Sequence, residues 1–124
     1  MARYRSAVLQ AWMEAYERAW NSNDPAEIGA LFADDARYLT APFDEPRAGR
    51  EAIVAGWLED RDEPGDFAFE WQPLLETPEL TVVTGTTTYV APPRVYSNLW
   101  LIRFGPDGRC REFVEWYMLQ PAAG

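Results

Sequence analysis

The chain has 124 residues, of which 48% are apolar and 25% are charged, a composition that suits one compact domain over residues 1–124 and excludes a disordered chain. Its 20 acidic residues outnumber its 11 arginines, it has no lysine, and its formal net charge is −9, which disfavours nucleic acid and anionic membranes as partners. It has no histidine and a single cysteine, Cys110, so it lacks the ligands for an imidazole or thiolate metal site and cannot form a Ser-His-Asp triad.

The same composition narrows the expected location and chemistry. No segment approaches the roughly 18 consecutive apolar residues of a membrane helix, and the first residues do not resemble a secretion signal. We therefore expect a cytoplasmic protein that does not insert into membranes. Carboxylates, phenols and guanidinium groups are the side chains left for acid–base chemistry. We expect neither a metal nor another cofactor.

Three helices are predicted in the first half of the chain. From Tyr4 to Asn21, apolar residues recur at the spacing of one helix face. Asp24-Pro25-Ala26-Glu27 is typical of a helix start, with a capping aspartate, a proline at the first helical position and an early glutamate. A short extended stretch from Ala36 to Thr40 follows. A third helix around Ile53 to Leu58 ends before Glu63-Pro64-Gly65.

The second half of the chain predicts strands. Apolar and polar residues alternate from Phe67 to Gln72, as in a half-buried strand. Leu80 to Val90 is rich in Thr and Val, and Val95 to Phe104 is rich in apolar and aromatic residues. The turn at Gly105-Pro106-Asp107-Gly108 joins that strand to a last one, from Arg109 to Leu119. This order predicts an α+β fold with helices packed on one face of a curved antiparallel sheet.

Five short motifs are distributed along the chain. They are Asn21-Ser22-Asn23-Asp24, the segment from Ala30 to Ala36, Glu45-Pro46-Arg47-Ala48-Gly49, Asp107-Gly108-Arg109 and Glu115-Trp116-Tyr117. In this order they resemble the nuclear transport factor 2-like superfamily, also called SnoaL-like. The resemblance implies a cone-shaped, curved antiparallel sheet that encloses an apolar pocket together with three N-terminal helices. It also implies a homodimer formed through the sheet.

The superfamily contains isomerases, polyketide cyclases, dehydratases and binding modules, so its fold does not determine one function. Its bacterial ketosteroid isomerases use an aspartate base in the first strand and an oxyanion hole made of a tyrosine and a protonated aspartate. The resemblance retains the tyrosine as Tyr16. It places Thr40 at the position of the base and Trp100 at that of the second acid. Isomerisation of a ketosteroid by that mechanism is therefore not expected.

The phase of the last strand decides which acid faces the pocket. The resemblance implies that Glu115 points into the cone, where removal from water would raise its pKa and suit it to acid–base catalysis. Simple alternation predicts the opposite phase, with Glu115 in solvent, Glu112 as the buried acid and four apolar residues in the core. Those four are Cys110, Val114, Trp116 and Met118.

Two further residues are candidates for catalysis. Tyr16 could donate a hydrogen bond to a substrate oxygen, and the alternative is a core tyrosine bonded to a neighbouring group. Asn98 could orient a ligand carbonyl, or it could make a local hydrogen bond only. Large apolar residues on both faces of the last two strands favour a dimer through the convex face of the sheet.

Ten residues, most of them aromatic, are predicted to line the pocket. They are Trp12, Trp20, Phe32, Thr40, Trp57, Trp71, Trp100, Ile102, Phe113 and Tyr117. Together these features favour a small cofactor-free enzyme of the isomerase or cyclase type that acts on an apolar cyclic metabolite. Glu115 would move the proton, and Tyr16 and Asn98 would donate hydrogen bonds. The alternative is a ligand-binding or dimerisation module of the same fold without turnover.

Overall fold

The computed structural model describes residues 6–40, 43 and 45–121. Within these residues, two helices are followed by two strands, a third helix and four longer strands. The elements are α1 (Ala7–Ser22), α2 (Pro25–Ala30), β1 (Phe32–Leu39), β2 (Arg47–Ala48), α3 (Arg50–Glu59), β3 (Phe67–Glu76), β4 (Thr81–Tyr89), β5 (Arg94–Phe104) and β6 (Cys110–Leu119). The predicted α+β order is confirmed. Tyr4 and Arg5, at the predicted start of the first helix, lie outside the described residues.

The first two helices begin at side-chain caps. The Ser6 hydroxyl accepts a hydrogen bond from the backbone N–H of Leu9 at 3.1 Å, and the Asp24 carboxylate accepts one from the N–H of Ala26 at 2.9 Å. Each cap satisfies a backbone donor that has no partner within its helix. Asn23 ends α1 in the left-handed conformation, with φ of 53°. The predicted helix start at Asp24 is therefore confirmed.

The six strands of the described residues form one sheet in the order β2-β1-β6-β5-β4-β3. All neighbouring pairs are antiparallel except β1 and β6, which run parallel. The expectation of a wholly antiparallel sheet is therefore corrected to a mixed one. The reason is topological, since the meander from β3 to β6 ends with a strand that returns beside β1 in the same direction.

Strand β1 begins earlier than the sequence indicated. Phe32, four residues before the predicted extended stretch, is the first residue of β1 and is completely buried. Ala36 and Tyr38 face the same core, because side chains two residues apart share a face of a strand. Phe32, four positions before Ala36, lies on the same face by the same alternation, and the register with β6 shifts between Phe32 and Arg37.

Helix α1 lies across the concave face of the sheet and contributes five core residues. They are Leu9, Trp12, Met13, Tyr16 and Ala19. Trp12 packs edge-on against Phe32 and Phe104, and its indole N–H donates to the carbonyl of Leu31 at 3.1 Å. Burying such large side chains contributes about 1.5–3 kcal/mol each. This packing closes one end of the cone and leaves the other end open.

Glycine lets two side chains lie flat against the backbone of the fold. A Cβ at Gly85 of β4 would come within 2.7 Å of the Phe69 ring, and that ring stacks on Trp100 with 4.9 Å between centroids. A Cβ at Gly56 of α3 would collide with the side chain of Arg47.

No helix in the described part of the chain has the length and apolar character needed to cross a membrane.

Candidate functional site

A cavity of about 300 Å³ occupies the open end of the cone, beside the aromatic core. Tyr16 and Trp20 of α1 form one wall, and Asn98 and Glu115 of β5 and β6 form another. Its volume is at the lower end of the range for small-molecule sites, roughly 300–1,000 Å³. The three candidate catalytic residues, Glu115, Tyr16 and Asn98, therefore line one space.

The Glu115 carboxylate receives hydrogen bonds from uncharged donors. The indole N–H of Trp100 donates to Oε2 at 2.9 Å, and the amide of Asn98 approaches the same oxygen at 3.5 Å. The Tyr38 hydroxyl donates to Oε1 at 3.5 Å. Among the described residues, no arginine lies within 4.0 Å of this carboxylate. The carboxylate is thus held by neutral donors and not by an ion pair.

Burial raises the pKa of Glu115 above its usual value. The hydrogen bonds from Trp100, Tyr38 and Asn98 favour the ionised form and oppose this shift, whereas the nearby charge of Asp62 adds to it. Desolvation is the largest of these effects. A carboxyl with a raised pKa exchanges protons more readily near neutral pH than an ordinary glutamate does.

A bulge in β6 sets the phase of the last strand. Arg103 pairs with Glu112 and Phe104 pairs with Cys110, so Arg111 is an extra residue opposite β5. An extra residue reverses the alternation of side chains. Cys110 before the bulge and Phe113 after it are consequently both completely buried, which strict alternation does not allow.

The bulge removes the alternative in which Glu112 is the buried acid. Glu112 lies on the other face, with its carboxylate 3.5 Å from Arg103 and 3.8 Å from Arg37. Trp116 and Met118, placed in the core by simple alternation, are exposed by 48% and 73%. The prediction from simple alternation is therefore wrong beyond the bulge.

Tyr16 and Tyr38 form a pair of buried phenols next to Glu115. Their hydroxyl oxygens are 3.3 Å apart, and the Tyr38 hydroxyl also reaches Glu115. Burial raises the pKa of both phenols well above the usual value, so both remain protonated donors at neutral pH. Tyr38 was missed from the sequence, although its position two residues after Ala36 on the inner face of β1 could have indicated it.

The orientation of the Asn98 amide is set by a neighbouring strand. The Thr87 hydroxyl of β4 donates to the amide oxygen of Asn98 at 2.7 Å, which leaves the amide N–H₂ facing Glu115. Asn98 is 92% buried, with only 8% of its surface exposed. The hydrogen bond between Thr87 and Asn98 therefore fixes the orientation of the Asn98 amide, so that its N–H₂ group is a donor in the cavity.

A second carboxylate, Asp62, lines the cavity from the segment after α3. Its Oδ2 accepts from the Trp20 indole at 3.0 Å and from the Tyr89 hydroxyl at 2.8 Å. The Asn23 amide donates to the Asp62 carbonyl at 2.9 Å and fastens this segment to the end of α1. Burial, followed by the bond to Asp62, raises the pKa of Tyr89. The charged loop sequence around Asp62 gave no signal of a cavity residue.

The predicted lining residues divide into two groups. Trp20, Thr40, Trp57 and Tyr117 line the cavity. Six others do not: Trp12, Phe32, Trp71, Trp100, Ile102 and Phe113. Five of these six are buried in the hydrophobic core beside the cavity, and Trp71 lies on β3 and packs against that core.

The cavity is also more polar than the apolar pocket expected. Arg47, Arg61, Arg94, Asp60 and Asp62 contribute to its wall, because the segment after α3 and the start of β5 lie at its opening. No group of three or more Cys, Asp or Glu side chains among the described residues is placed to hold a metal ion. The arrangement provides two carboxylates bonded by uncharged donors, Glu115 and Asp62, together with phenol and amide donors and charged groups at the opening.

Comparison with protein families identifies the family to which this chain belongs. The SnoaL-like domain model matches residues 13–113, and the chain belongs to this family. A comparison with curated proteins finds no match. The family and the curved sheet confirm the nuclear transport factor 2-like α+β fold.

Solved structures share this fold at low sequence identity. A ketosteroid isomerase-like protein from Erwinia carotovora atroseptica SCRI1043 is 22% identical, with a TM-score of 0.65, over 93% of this chain and 96% of that one. An NTF-2 like protein of unknown function from Burkholderia xenovorans LB400 is 16% identical, with a TM-score of 0.74, over 94% of this chain and 88% of that one. At these identities the similarity concerns the fold alone.

Proposed function

We propose that the chain is a cofactor-free acid–base enzyme that acts on a largely apolar cyclic metabolite, by isomerisation or ring closure. The observation that carries this proposal is the Glu115 carboxylate, which lines a cavity and is bonded by Trp100, Asn98 and Tyr38 without a cationic partner among the described residues. A carboxylate held in this way is available to accept and return a proton.

The chemistry begins with Glu115 in its ionised form. Glu115 takes a proton from a carbon next to a ligand carbonyl, and the electron pair of that C–H bond moves to the carbonyl oxygen as an enolate. In a ligand with a C=C bond next to the carbon that loses its proton, return of the proton from Glu115 to the far end of the resulting dienolate completes an isomerisation. Alternatively, the enolate carbon attacks a second carbonyl of the same ligand and closes a ring, and the alkoxide formed takes the proton back from Glu115. The raised pKa of Glu115 favours both transfers near neutral pH.

The developing enolate needs donors in a fixed position. Tyr38 and Asn98 are close to Glu115, and Thr87 orients the Asn98 amide. Tyr16 bonds to Tyr38 and supports its orientation. Donors arranged before the reaction stabilise negative charge without the cost of reorganising water, and losing one such donor reduces the rate by about 10²–10³-fold in known examples.

Proton abstraction can be tested before the natural substrate is known. The protein is incubated in heavy water with a panel of bicyclic ketones, and deuterium uptake next to the carbonyl is followed by NMR. The wild type should accelerate the exchange, and Glu115→Gln should reduce the acceleration about 100-fold or more. Glu112→Gln on the opposite face of β6 is the matched control and should retain the activity. Exchange that persists in Glu115→Gln would remove this residue from the mechanism.

A second candidate function is ligand binding without turnover. The observation in its favour is that Glu115 already has three protein donors within 3.5 Å, which is also the pattern of a structurally satisfied carboxylate. Mass spectrometry of a ligand that copurifies with the protein discriminates the two. A ligand that is returned unaltered, together with no exchange on any ketone of the panel, would favour the binding module.

A homodimer through the convex face of the sheet forms part of the proposal. Trp116 and Met118 are exposed on β6, and Leu99 on β5 lies directly beside Trp116. Such neighbouring apolar side chains favour a covered surface. Sedimentation should give a dimer for the wild type and a monomer for Trp116→Glu, and a monomeric wild type would contradict the proposed dimer.

The cytoplasmic location also stays a prediction, supported by the amino-acid composition of the chain.

A further inference from the structure

The arginines of this acidic chain are not all paired. Nine of the eleven lie in the described residues, and five of these have an acidic side chain within 4.0 Å: Arg37, Arg47, Arg50, Arg103 and Arg109. Four described arginines have no such partner within the part of the chain that the structure describes: Arg18, Arg61, Arg94 and Arg111. Two of these four, Arg61 and Arg94, line the cavity. In a chain with 20 acidic residues, two unpaired arginines at one cavity point to a partner that the chain itself does not supply.

Arg94 is held with its guanidinium group over an aromatic ring. It begins β5 opposite Tyr89, and its guanidinium carbon lies 4.1 Å from the centre of the Tyr89 ring. Its Nη1 donates to the carbonyl of Pro92 at 2.9 Å. A guanidinium held in this way loses little further conformational freedom when it binds a ligand. Its remaining N–H groups are free to form a two-point contact with a carboxylate.

The distance along β5 matches a ligand that reaches both ends of the cavity. Arg94, Tyr96 and Asn98 occupy alternate positions of β5 and all three line the cavity. The four residue-to-residue steps from Arg94 to Asn98 span about 13 Å of strand, and Asn98 contacts Glu115. A bicyclic ligand placed along this wall would have one end at Glu115 and the other at Arg94.

The charge of the cavity differs from that of the chain as a whole. Three arginines and three acids line it, so its formal charge is zero with every group ionised, against −9 for the chain. Arg47 and Asp60 neutralise each other at 2.8 Å. Of the remaining charged groups, Arg61 and Arg94 are basic and Asp62 and Glu115 are acidic, so the cavity is far less negative than the chain as a whole. Asp62 remains beside Tyr89 and disfavours a second negative charge on the ligand.

We propose that the ligand of this cavity is a cyclic monocarboxylate, whose carboxylate is bound by Arg94 and Arg61 at the opening. Placing its reactive carbon at Glu115 rests on the proposed function, but the carboxylate site does not. Arg94 provides the two-point contact, and the more exposed Arg61 adds attraction across the opening. Asp62 limits the site to a single negative charge.

The test compares naphthoate with naphthamide, two probes of the same shape that differ in charge. Their binding to the full chain at low salt is measured by titration calorimetry. Naphthoate should bind at least about tenfold more tightly, as a charge-assisted contact provides. Arg94→Gln should remove about tenfold of naphthoate affinity, Arg61→Gln should remove less because it is exposed, and neither should change binding of naphthamide.

Three further variants sharpen this test. Arg18→Gln removes an unpaired arginine away from the cavity and should leave both affinities unchanged. Asp62→Asn should tighten naphthoate binding, because a repulsive charge is lost. Arg94→Lys keeps the charge without the planar fork and should retain part of the preference, which guards against a structural effect of Arg94→Gln. Equal affinity for the two probes, equal losses for both probes in Arg94→Gln, or binding of neither probe would overturn the proposal.

The test of the carboxylate site and the test of the proposed function can fail independently of each other. Glu115→Gln should abolish deuterium exchange and leave the preference for naphthoate intact, because the two sites occupy opposite ends of the cavity. Exchange without a preference for naphthoate would refute the carboxylate site alone. A preference for naphthoate without exchange would refute the enzyme and leave the carboxylate site in place.

Discussion

The two ends of the cone contain the same types of aromatic residue, but these residues have different roles at each end. At the closed end, which we define by Trp12, Phe32 and Phe104, rings pack edge to face and the Trp12 indole N–H donates to a backbone carbonyl. At the open end, defined by the cavity, the indole N–H groups of Trp20 and Trp100 donate to the carboxylates of Asp62 and Glu115. The closed end stabilises the fold, whereas the open end holds the carboxylates of Asp62 and Glu115 by uncharged donors.

The difference arises from which side chains face inward. Near the opening, inward positions carry Tyr38, Thr87 and Asn98, which bond to one another or to Glu115 and leave space between the walls. Near the closed end, inward positions carry Phe32 and Ile102, which are completely buried. A polar inner face thus keeps part of the cone hollow, and an apolar inner face fills the rest.

The largest expected contrast concerns the reactivity of Cys110 at the closed end. Burial raises the pKa of its thiol to about 12, against about 8.5 for a free cysteine. Because the thiolate is the reactive form, a thiol reagent near neutral pH should modify the native protein at least about 1,000-fold more slowly than the unfolded protein. Absorbance of the released chromophore measures both rates. Equal rates would mean that the closed end admits solvent.

Truncation of an aromatic side chain should be costly at the closed end and mild at the open end. Phe32→Ala should lower the free energy of unfolding by about 3–5 kcal/mol, through lost burial and the resulting cavity. Tyr117, which lines the cavity and is 53% exposed, is the counterpart, and Tyr117→Ala should cost less than about 1 kcal/mol. Urea unfolding followed by circular dichroism compares them. Similar losses in both variants would contradict the division into two ends.

A smaller effect is expected at Gly85, where the two ends meet. Gly85→Ala would place a Cβ within 2.7 Å of Phe69 and should cost about 1–3 kcal/mol by overpacking. Gly105→Ala is the matched control, because its Cβ would make only contacts of 3.4 Å or longer. Thermal unfolding of both variants measures the difference. A Gly85→Ala protein as stable as the control would show that Phe69 is free to move from Trp100.

The smallest effect is a pH dependence of stability from the open end. The pKa of Glu115 is raised in the folded state, so the folded protein holds this proton more tightly than the unfolded chain does. The corresponding stability is fully present below the unfolded pKa of about 4.3 and is lost as pH rises through the folded pKa. Glu115→Gln should therefore gain stability relative to the wild type as pH rises over this window. A constant difference across this window would contradict the raised pKa.

Local patterns were sufficient for most of the fold. The helical spacing in α1 places Trp12 and Tyr16 on its buried face, and the predicted cap at Asp24 is a short-range contact within a few residues. The cap at Ser6 was not predicted. The parallel pairing of β1 with β6 was not predicted, because it joins segments more than 70 residues apart in the chain.

The site was only partly accessible from the sequence. The family resemblance pointed to Glu115, Tyr16 and Asn98, which line one cavity. The bulge at Arg111 depends on the register with β5, so alternation within β6 alone gave the wrong phase. Asp62 lies in a charged loop whose position is set by Asn23 and Trp20, and no local pattern indicated it.

The most direct test of the central claim follows the indole N–H signals of the tryptophans by NMR during a pH titration. The Trp100 N–H donates to Glu115 at 2.9 Å and reports its ionisation, whereas the Trp12 N–H donates to a carbonyl and serves as the internal control. The Trp100 signal should titrate with a midpoint above about 4.3, the ordinary value for glutamate, and this titration should disappear in Glu115→Gln. A midpoint at or below that value, or a titration that persists in Glu115→Gln, would contradict the central claim.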